Sequence, residues 1–264
     1  MIRPSNKETN QYSFEEFMEI IHVLRSENGC PWDREQTHES LKSCLIEECY
    51  ETVEAINNVD KENLCEELGD ILLQVALHSV IAEESRDFEI NDIIDGISKK
   101  MIHRHPHVFG DIIVNGSGEV LKNWEDIKKE EKKEVTVSQS MEKVPKALPA
   151  LIRAAKVQGH AKNAGFDFVD YEDALNKVYE EINELNLARK VGDKSQIEKE
   201  FGDLLFSVVN LSRFLQENAE NSLTNATDKF INRFVDVERL VLREGKHLCD
   251  MSIDELKALW GQVK

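Results

Sequence analysis

The sequence predicts an all-α protein built from two tandem helical bundles that arose by internal duplication. Proline and glycine are sparse, at 5 and 12 of 264 residues, and apolar residues recur at helical spacing. No run of alternating β-branched residues is long enough to predict a sheet. Four acidic residues of the first half also reappear in the second half, each displaced by the same 133 positions. The repeated carboxylates are Glu48, Glu51, Glu67 and Asp70 in the first half, and Glu181, Glu184, Glu200 and Asp203 in the second.

Five helices are predicted in the first half. The first runs over 13–27, because Ser13 is a suitable N-cap and Glu16 completes a capping box. A turn follows at 28–33. The fourth helix ends before Pro106, because proline cannot continue a helix. The four later helices are predicted at 37–56, 60–84, 90–103 and 120–132.

The second half repeats this order of elements, with a turn at 164–167 after its first helix. Its helices are predicted at 148–162, 172–190, 194–216, 222–243 and 252–262. A short β-branched and hydroxyl-rich stretch separates the halves, and Pro145 and Pro149 follow it. We therefore predict a first domain at 1–134, a linker at 135–146 and a second domain at 147–264.

Charge and composition exclude several classes of partner. The formal net charge is −18, and so acidic a surface is repelled by nucleic-acid backbones and anionic lipid. The most apolar stretch, 71–82, is too short to span a bilayer. The five cysteines are odd in number, no C-x-x-C occurs, and the first residues are polar. These features predict a reduced, cytoplasmic protein with neither a nucleic-acid nor a membrane partner.

The spacing of the acids predicts a cluster of carboxylates in each half. Residues three apart lie on nearly the same helix face. The midpoint of 51 and 67 is position 59, and so is the midpoint of 48 and 70. An antiparallel helical hairpin therefore places Glu51 opposite Glu67 and Glu48 opposite Asp70. In the second half both midpoints fall on Gly192, which begins a strong turn signal.

Four neighbouring carboxylates repel one another and need a cation or protons. Oxygen ligands suit Mg²⁺, Mn²⁺ or Ca²⁺, and Mg²⁺ is favoured because it completes its shell with water and phosphate. A di-iron site would carry E-x-x-H, which neither half has. A lone E-x-x-E is typical of a solvated face, but the duplication favours a site. Gly69 and Gly202, inside the predicted helices, indicate a close approach of another group to the backbone.

Cations and tryptophans also repeat. Lys100 and Arg104 match Lys229 and Arg233 at an offset of 129, and Trp124 and Lys128 match Trp260 and Lys264 at an offset of 136. Cations four residues apart suit a polyanion, and an indole suits a nucleobase. Packing of the indoles in the core and solvation of the cations is the alternative interpretation. Zinc at 103–107 is disfavoured, because the second half has no counterpart and Pro106 breaks the geometry.

These motifs together resemble those of the MazG-type nucleoside triphosphate pyrophosphohydrolases. The resemblance rests on the turn 29–33, on Gln36-Thr37-His38, and on the two carboxylate motifs with Glu47 and Glu180 beside them. It covers nearly the whole chain, including the tandem arrangement. It implies Mg²⁺-dependent hydrolysis of ribo- and deoxyribonucleoside triphosphates to monophosphate and pyrophosphate, in house-cleaning of nucleotide pools. It also implies helical-bundle domains that dimerise.

By the same resemblance, the four repeated carboxylates of the second half hold the metal. One of the glutamates is a candidate general base, and the sequence does not determine which. The residues implied to contact the nucleotide are Lys177, Lys229, Arg233, Trp260 and Lys264. The first half keeps its carboxylates, Lys100, Arg104, Trp124 and Lys128, but has Cys44 where an ungapped alignment puts Lys177. Which half is active stays open. So do a narrower dUTP or dCTP pyrophosphatase and a non-catalytic helical module with structural metal.

Overall fold

The computed structural model describes residues 11–131 and 136–263. Within these ranges the secondary structure is helical, and only a single residue, Gln11, has the pairing of a β-strand. The chain divides into two compact units, Met1–Lys128 and Lys129–Lys264. The prediction of an all-α protein is therefore confirmed.

The first unit contains helices α1 to α7. Their bounds are α1 Phe14–Arg25, α2 Pro31–Glu35, α3 Lys42–Asn57, α4 Lys61–Ser85, α5 Ile90–Arg104, α6 Pro106–Phe109 and α7 Ser117–Glu131. The Ser13 capping box forms as expected. The turn predicted at 28–33 instead begins a short helix at Pro31, because proline is favoured at the first helical position.

Helix α3 begins five residues later than predicted. The Thr37 backbone amide donates to the Ser40 hydroxyl at 2.9 Å, and the Ser40 amide donates to the Thr37 hydroxyl at 3.1 Å. Such local side-chain hydrogen bonds compete with the backbone hydrogen bonds of a helix. They hold residues 37–41 in a turn and delay the start of the helix to Lys42.

The second unit contains helices α8 to α13. Their bounds are α8 Val137–Glu142, α9 Ala150–Asn163, α10 Tyr171–Val191, α11 Lys194–Phe214, α12 Ala219–Arg243 and α13 Ile253–Gln262, with a 3₁₀ turn at Leu248–Asp250. The stretch predicted as a linker contains α8. Thr136 caps this helix through a bond from the Gln139 amide, and α8 packs against α9.

Two antiparallel helical hairpins, α3–α4 and α10–α11, are the elements that position the acids. Asp60 and Asp193 cap the second helix of each hairpin by accepting bonds from backbone amides. The core of the first unit lies on the side of α4 that faces α1, where Ile21, Leu77 and Val80 are buried. One helix face is therefore fixed by the core, while the carboxylates lie nearer the turn.

The described residues leave an apolar face of α4 and of α11 largely uncovered. Leu68 and Phe201, which match at the offset of 133, are each 52% exposed. Leu72 and Leu205 match in the same way and are 41% and 45% exposed. Apart from the backbone of its own helix and its chain neighbours, no heavy atom of the described residues lies within 4 Å of a Cβ built at Gly69 or Gly202. The expected close approach to these glycines is therefore not made within the chain.

A buried guanidinium holds the turn that precedes the hairpin in the first unit. The Arg25 side chain is 5% exposed and donates to both carboxylate oxygens of Glu84, at 2.8 and 2.7 Å. It also donates to the backbone carbonyls of Asp33 and Gln36. In the second unit Arg213 binds Asp167 in the matching turn. Arg25 thus ties α1 and α4 to the segment 31–36.

The hairpin turn of the first unit contains a strained residue. Val59 has φ 57°, whereas the matching position in the second unit is Gly192 with φ 80°. A β-branched residue in this region costs about 1–2 kcal/mol.

We expect Val59→Gly to raise the free energy of unfolding by about 1 kcal/mol after the entropy of glycine is included, as measured by urea denaturation. Gly192→Val should lower stability. A loss of stability in Val59→Gly would contradict this.

Candidate metal and nucleotide site

The first hairpin brings together three carboxylates from two helices. Glu48 on α3 and Glu67 and Asp70 on α4 each offer an oxygen, and these oxygens lie within 4.8 Å of one another. Glu67 is buried, at 9% exposed, and the other two are half-buried. Glu51, the fourth predicted member, is exposed and lies outside this group.

The second hairpin also brings together three of its four predicted carboxylates, but a different three. Oxygens of Glu181, Glu184 and Glu200 lie within 4.8 Å of one another. Glu181 and Glu200 are 5% and 3% exposed, whereas Glu184 is exposed. Asp203 lies outside the group, and its side chain pairs with Lys199 at 3.6 Å.

Repulsion dominates the first cluster. Burial raises the pKa of Glu48, and the neighbouring Asp70 raises it further. The pKa of Glu67 is likewise raised, first by burial and then by Glu51 and Asp70. Among the side chains that the structure describes in the first unit, no lysine, arginine or histidine lies within 4.0 Å of these four carboxylates. No described cation of this unit therefore compensates their charge.

Two lysines compensate the second cluster. Lys177 lies 2.7 Å from Glu180 and 2.8 Å from Glu181, and these bonds raise its pKa. Lys199 lies 3.2 Å from Glu200 and, as the largest cause, lowers the pKa of that carboxyl. The pKa of Glu184 is raised, first by burial and then by Glu181.

Sequence reasoning missed Lys199 and Gln196. The Gln196 side-chain amide donates to Glu200 Oε1 at 2.8 Å, and Lys199 pairs with the same oxygen. Neither residue is repeated identically, because the matching positions are Asn63, whose amide also hydrogen-bonds the matching Glu67, and Glu66. A search for repeated residues therefore passes over both. Their helical spacing from Glu200 and Asp203 was the available signal.

The second cluster fits a divalent cation held by oxygens. Oε2 of Glu181 and Oε2 of Glu200 are both buried without a hydrogen-bond partner. A buried charged acceptor without a partner is costly, and a cation satisfies it. A cavity of about 530 Å³ adjoins these carboxylates and extends along the hairpin toward Asp193. Its lining residues are Glu184, Leu187, Ala188, Val191, Asp193, Gln196, Lys199 and Glu200.

The predicted nucleotide-contacting residues lie partly together. The Arg233 guanidinium carbon lies 4.3 Å from the centre of the Trp260 ring, and Arg233 also donates to the Trp260 backbone carbonyl. The Phe230 ring packs 5.1 Å from the same indole. No ion pair joins Lys229 or Arg233 to the acids of α10 and α11 within residues 136–263. Lys264 lies outside the described residues.

The corresponding indole of the first unit has different neighbours. The Trp124 ring lies 6.1 Å from the His105 ring, which in turn lies 5.7 Å from His107. Lys100 is exposed on α5, and Arg104 ends that helix. Within the described ranges, residues 103–107 contribute to no group of three metal-ligating side chains.

The raised pKa of Glu48 predicts a pH-dependent effect on stability. Folding favours the protonated carboxyl, so this contribution to stability is present below the ordinary pKa of 4.5 and is lost as pH rises through the folded-state pKa. Glutamine imitates the protonated form. We expect Glu48→Gln to raise the melting temperature at neutral pH in chelator, and the gain to vanish toward pH 4.5. Glu54→Gln, at an exposed position of α3, is the control. A gain that grew on acidification would contradict this.

Comparison with known proteins gives a consistent result. The model of the MazG nucleotide pyrophosphohydrolase domain matches residues 36–109 and 170–239. The chain is 47% identical over 251 residues to the nucleoside triphosphate pyrophosphohydrolase/pyrophosphatase MazG of Thermotoga maritima, covering 95% of each. It is 42% identical over 248 residues to the nucleoside triphosphate pyrophosphohydrolase of Escherichia coli K12, covering 93% of this chain and 94% of that protein. In the described ranges, no helix combines the length and apolar character needed to cross a bilayer.

Proposed function

The chain belongs to the MazG nucleotide pyrophosphohydrolase family, and from that premise we propose that it is a nucleoside triphosphate pyrophosphohydrolase acting on ribo- and deoxyribonucleotides. It releases nucleoside monophosphate and pyrophosphate in the cytoplasm and so cleans the nucleotide pool. The observation that carries the proposal is the second cluster, in which two buried carboxylate oxygens lack partners beside an open cavity.

Mg²⁺, or Mn²⁺ in its place, is the cation that this cluster suits. Glu181, Glu184 and Glu200 would hold it, and Asp203 would join them once its carboxylate leaves Lys199. When bound, the cation supplies charge neutralisation for the triphosphate and polarises a water molecule.

Other side chains of the second unit bind the substrate, stabilise its developing charge and accept a proton. Lys177, beside the cluster, stabilises the negative charge that develops on the leaving pyrophosphate. One glutamate of the cluster accepts the proton of the attacking water. Trp260 offers its ring to the nucleobase, and Arg233, which covers that ring in the free protein, turns toward the phosphates.

We further propose that the chain works as a homodimer through the uncovered faces of α4 and α11. Apolar side chains exposed in a contiguous row mark an interaction surface, and the same row occurs in both units. We expect Leu205→Glu to lower the dimer fraction in sedimentation velocity. Glu198→Lys, at an exposed polar position of α11, serves as the control. A monomeric wild type would remove this part of the proposal.

Release of pyrophosphate from each of the common nucleotides tests the function. We expect release with Mg²⁺ from several ribo- and deoxyribonucleotides, and its loss with chelator. Release restricted to dUTP or dCTP would instead support the narrower pyrophosphatase. No release from any nucleotide, with a melting temperature insensitive to chelator, would indicate a non-catalytic helical module.

A further inference from the structure

The two carboxylate clusters differ in the cations that the chain itself supplies. The first unit has Cys44 and Glu66 at the positions where the second has Lys177 and Lys199. The hairpin motif of the first unit therefore carries six carboxylates with no lysine at these positions. That of the second carries five carboxylates and two lysines. The six are Glu47, Glu48, Glu51, Glu66, Glu67 and Asp70, and the five are Glu180, Glu181, Glu184, Glu200 and Asp203.

In the second unit the lysines bind the carboxylates that would hold a metal, through Oε1 of Glu181 and Oε1 of Glu200, while the Oε2 atoms lack a partner. Lys177 Nζ lies 2.8 Å from Glu181 Oε1, and Lys199 Nζ lies 3.2 Å from Glu200 Oε1. The Gln196 amide also donates to this Glu200 oxygen. A divalent cation entering the cluster meets two ammonium groups, and it competes with three hydrogen bonds for the Oε1 atoms. Its binding there is opposed by both repulsion and competition.

In the described part of the first unit no ammonium group opposes a cation, and the matching side-chain hydrogen bond to Glu67 comes from the neutral Asn63. Glu48, Glu67 and Asp70 converge without a lysine or arginine within ion-pair distance in the described part of that unit. Ion binding there relieves repulsion among the acids and displaces no partner cation.

We infer that the two clusters differ in whether cation binding needs nucleotide. The first unit binds a divalent cation without nucleotide, whereas the second binds one together with the triphosphate. The inference rests on the metal site of the proposed function. A triphosphate gives Lys177 and Lys199 new anionic partners, which frees the carboxylate oxygens for the cation. By linkage, cation and nucleotide then strengthen each other's binding in the second unit.

Titration of the full chain with Mn²⁺, with free ion measured by electron paramagnetic resonance and no nucleotide present, tests this inference. We expect two classes of site at least about tenfold apart in affinity. The double variant Glu48→Gln with Glu67→Gln should remove the tight class. Glu181→Gln with Glu200→Gln should remove only the weak class. Equal affinities, or loss of the tight class in the second double variant, would overturn the inference.

Exchange of the differing residues tests the cause. Glu66→Lys should weaken the tight class by about tenfold, and Lys199→Glu should strengthen the weak class. Glu83→Lys makes the same change of charge about 20 Å from Asp70 along α4 and is the control. An equal effect of Glu66→Lys and Glu83→Lys would show a long-range charge effect and overturn the explanation. Circular dichroism verifies the folding of each variant, and the two exchanges test the idea independently.

An α,β-methylene triphosphate analogue supplies the third measurement. We expect it to tighten Mn²⁺ binding in the weak class and to leave the tight class unchanged. Tightening of both classes alike would contradict the inference. Pyrophosphate release is measured separately, so an inactive protein with two unequal classes would refute the proposed function alone. An active protein with equal classes would refute this inference alone.

Discussion

Replacing Glu184 by glutamine is expected to reduce pyrophosphate release by about a hundredfold or more. Glutamine keeps the shape of the side chain but removes a negative charge from the cluster of the second unit. Glu184 faces the cavity, and its oxygen lies within 4.8 Å of those of Glu181 and Glu200. The measurement is kcat for pyrophosphate release at saturating Mg²⁺, which separates a loss in turnover from a loss in metal affinity.

Two control variants define the outcome for Glu184. Glu198→Gln removes a charge from an exposed position of α11 outside the cluster and should retain activity. Glu51→Gln makes the equivalent change in the first unit, which lacks the counterpart of Lys177, and most activity should also remain. Activity that survives Glu184→Gln but disappears in Glu51→Gln would transfer catalysis to the first unit.

Replacing Arg25 by methionine is expected to lower the free energy of unfolding of the first unit by about 2–3 kcal/mol. Loss of one partner of a buried ion pair costs about 3–5 kcal/mol, but the Glu84 side chain is half exposed and water screens part of this. The backbone carbonyls of Asp33 and Gln36 also lose their donor. Urea denaturation followed by tryptophan fluorescence measures this loss.

Glu84→Gln and Arg34→Met are the controls for Arg25. Glu84→Gln keeps an acceptor for the guanidinium and should cost about 1 kcal/mol or less. Arg34 is exposed and donates to the Glu27 carbonyl, so its replacement should have a small effect. A loss in Arg25→Met no larger than in Arg34→Met would refute the anchoring role.

The hairpins could be predicted because helical periodicity and turn chemistry act locally. Gly192 was identified as the turn from two coincident midpoints, and it adopts a left-handed conformation there. The same arithmetic placed Glu48 near Asp70, and their charges indeed act on one another. Burial of Glu67 and Glu200 accords with the apolar residues around them on α4 and α11, and Glu181 is buried on α10.

Other features depend on long-range or subtle competition and could not be predicted. The choice of Asp70 in one cluster and Glu184 in the other depends on side-chain orientation, which spacing does not determine. In the second unit, Lys199 draws Asp203 away from the group. Helix α2 and the late start of α3 depend on competition between side-chain capping bonds and the backbone hydrogen bonds of a helix. The two alternatives differ by about 1 kcal/mol.

Because leucine and phenylalanine side chains are exposed in rows on α4 and α11, the stability of the protein should depend on its concentration. If two copies cover these rows, association and folding are linked, so dilution lowers the melting temperature. Newly synthesised chains would then depend on meeting one another, and low abundance would itself increase their exposure to proteolysis.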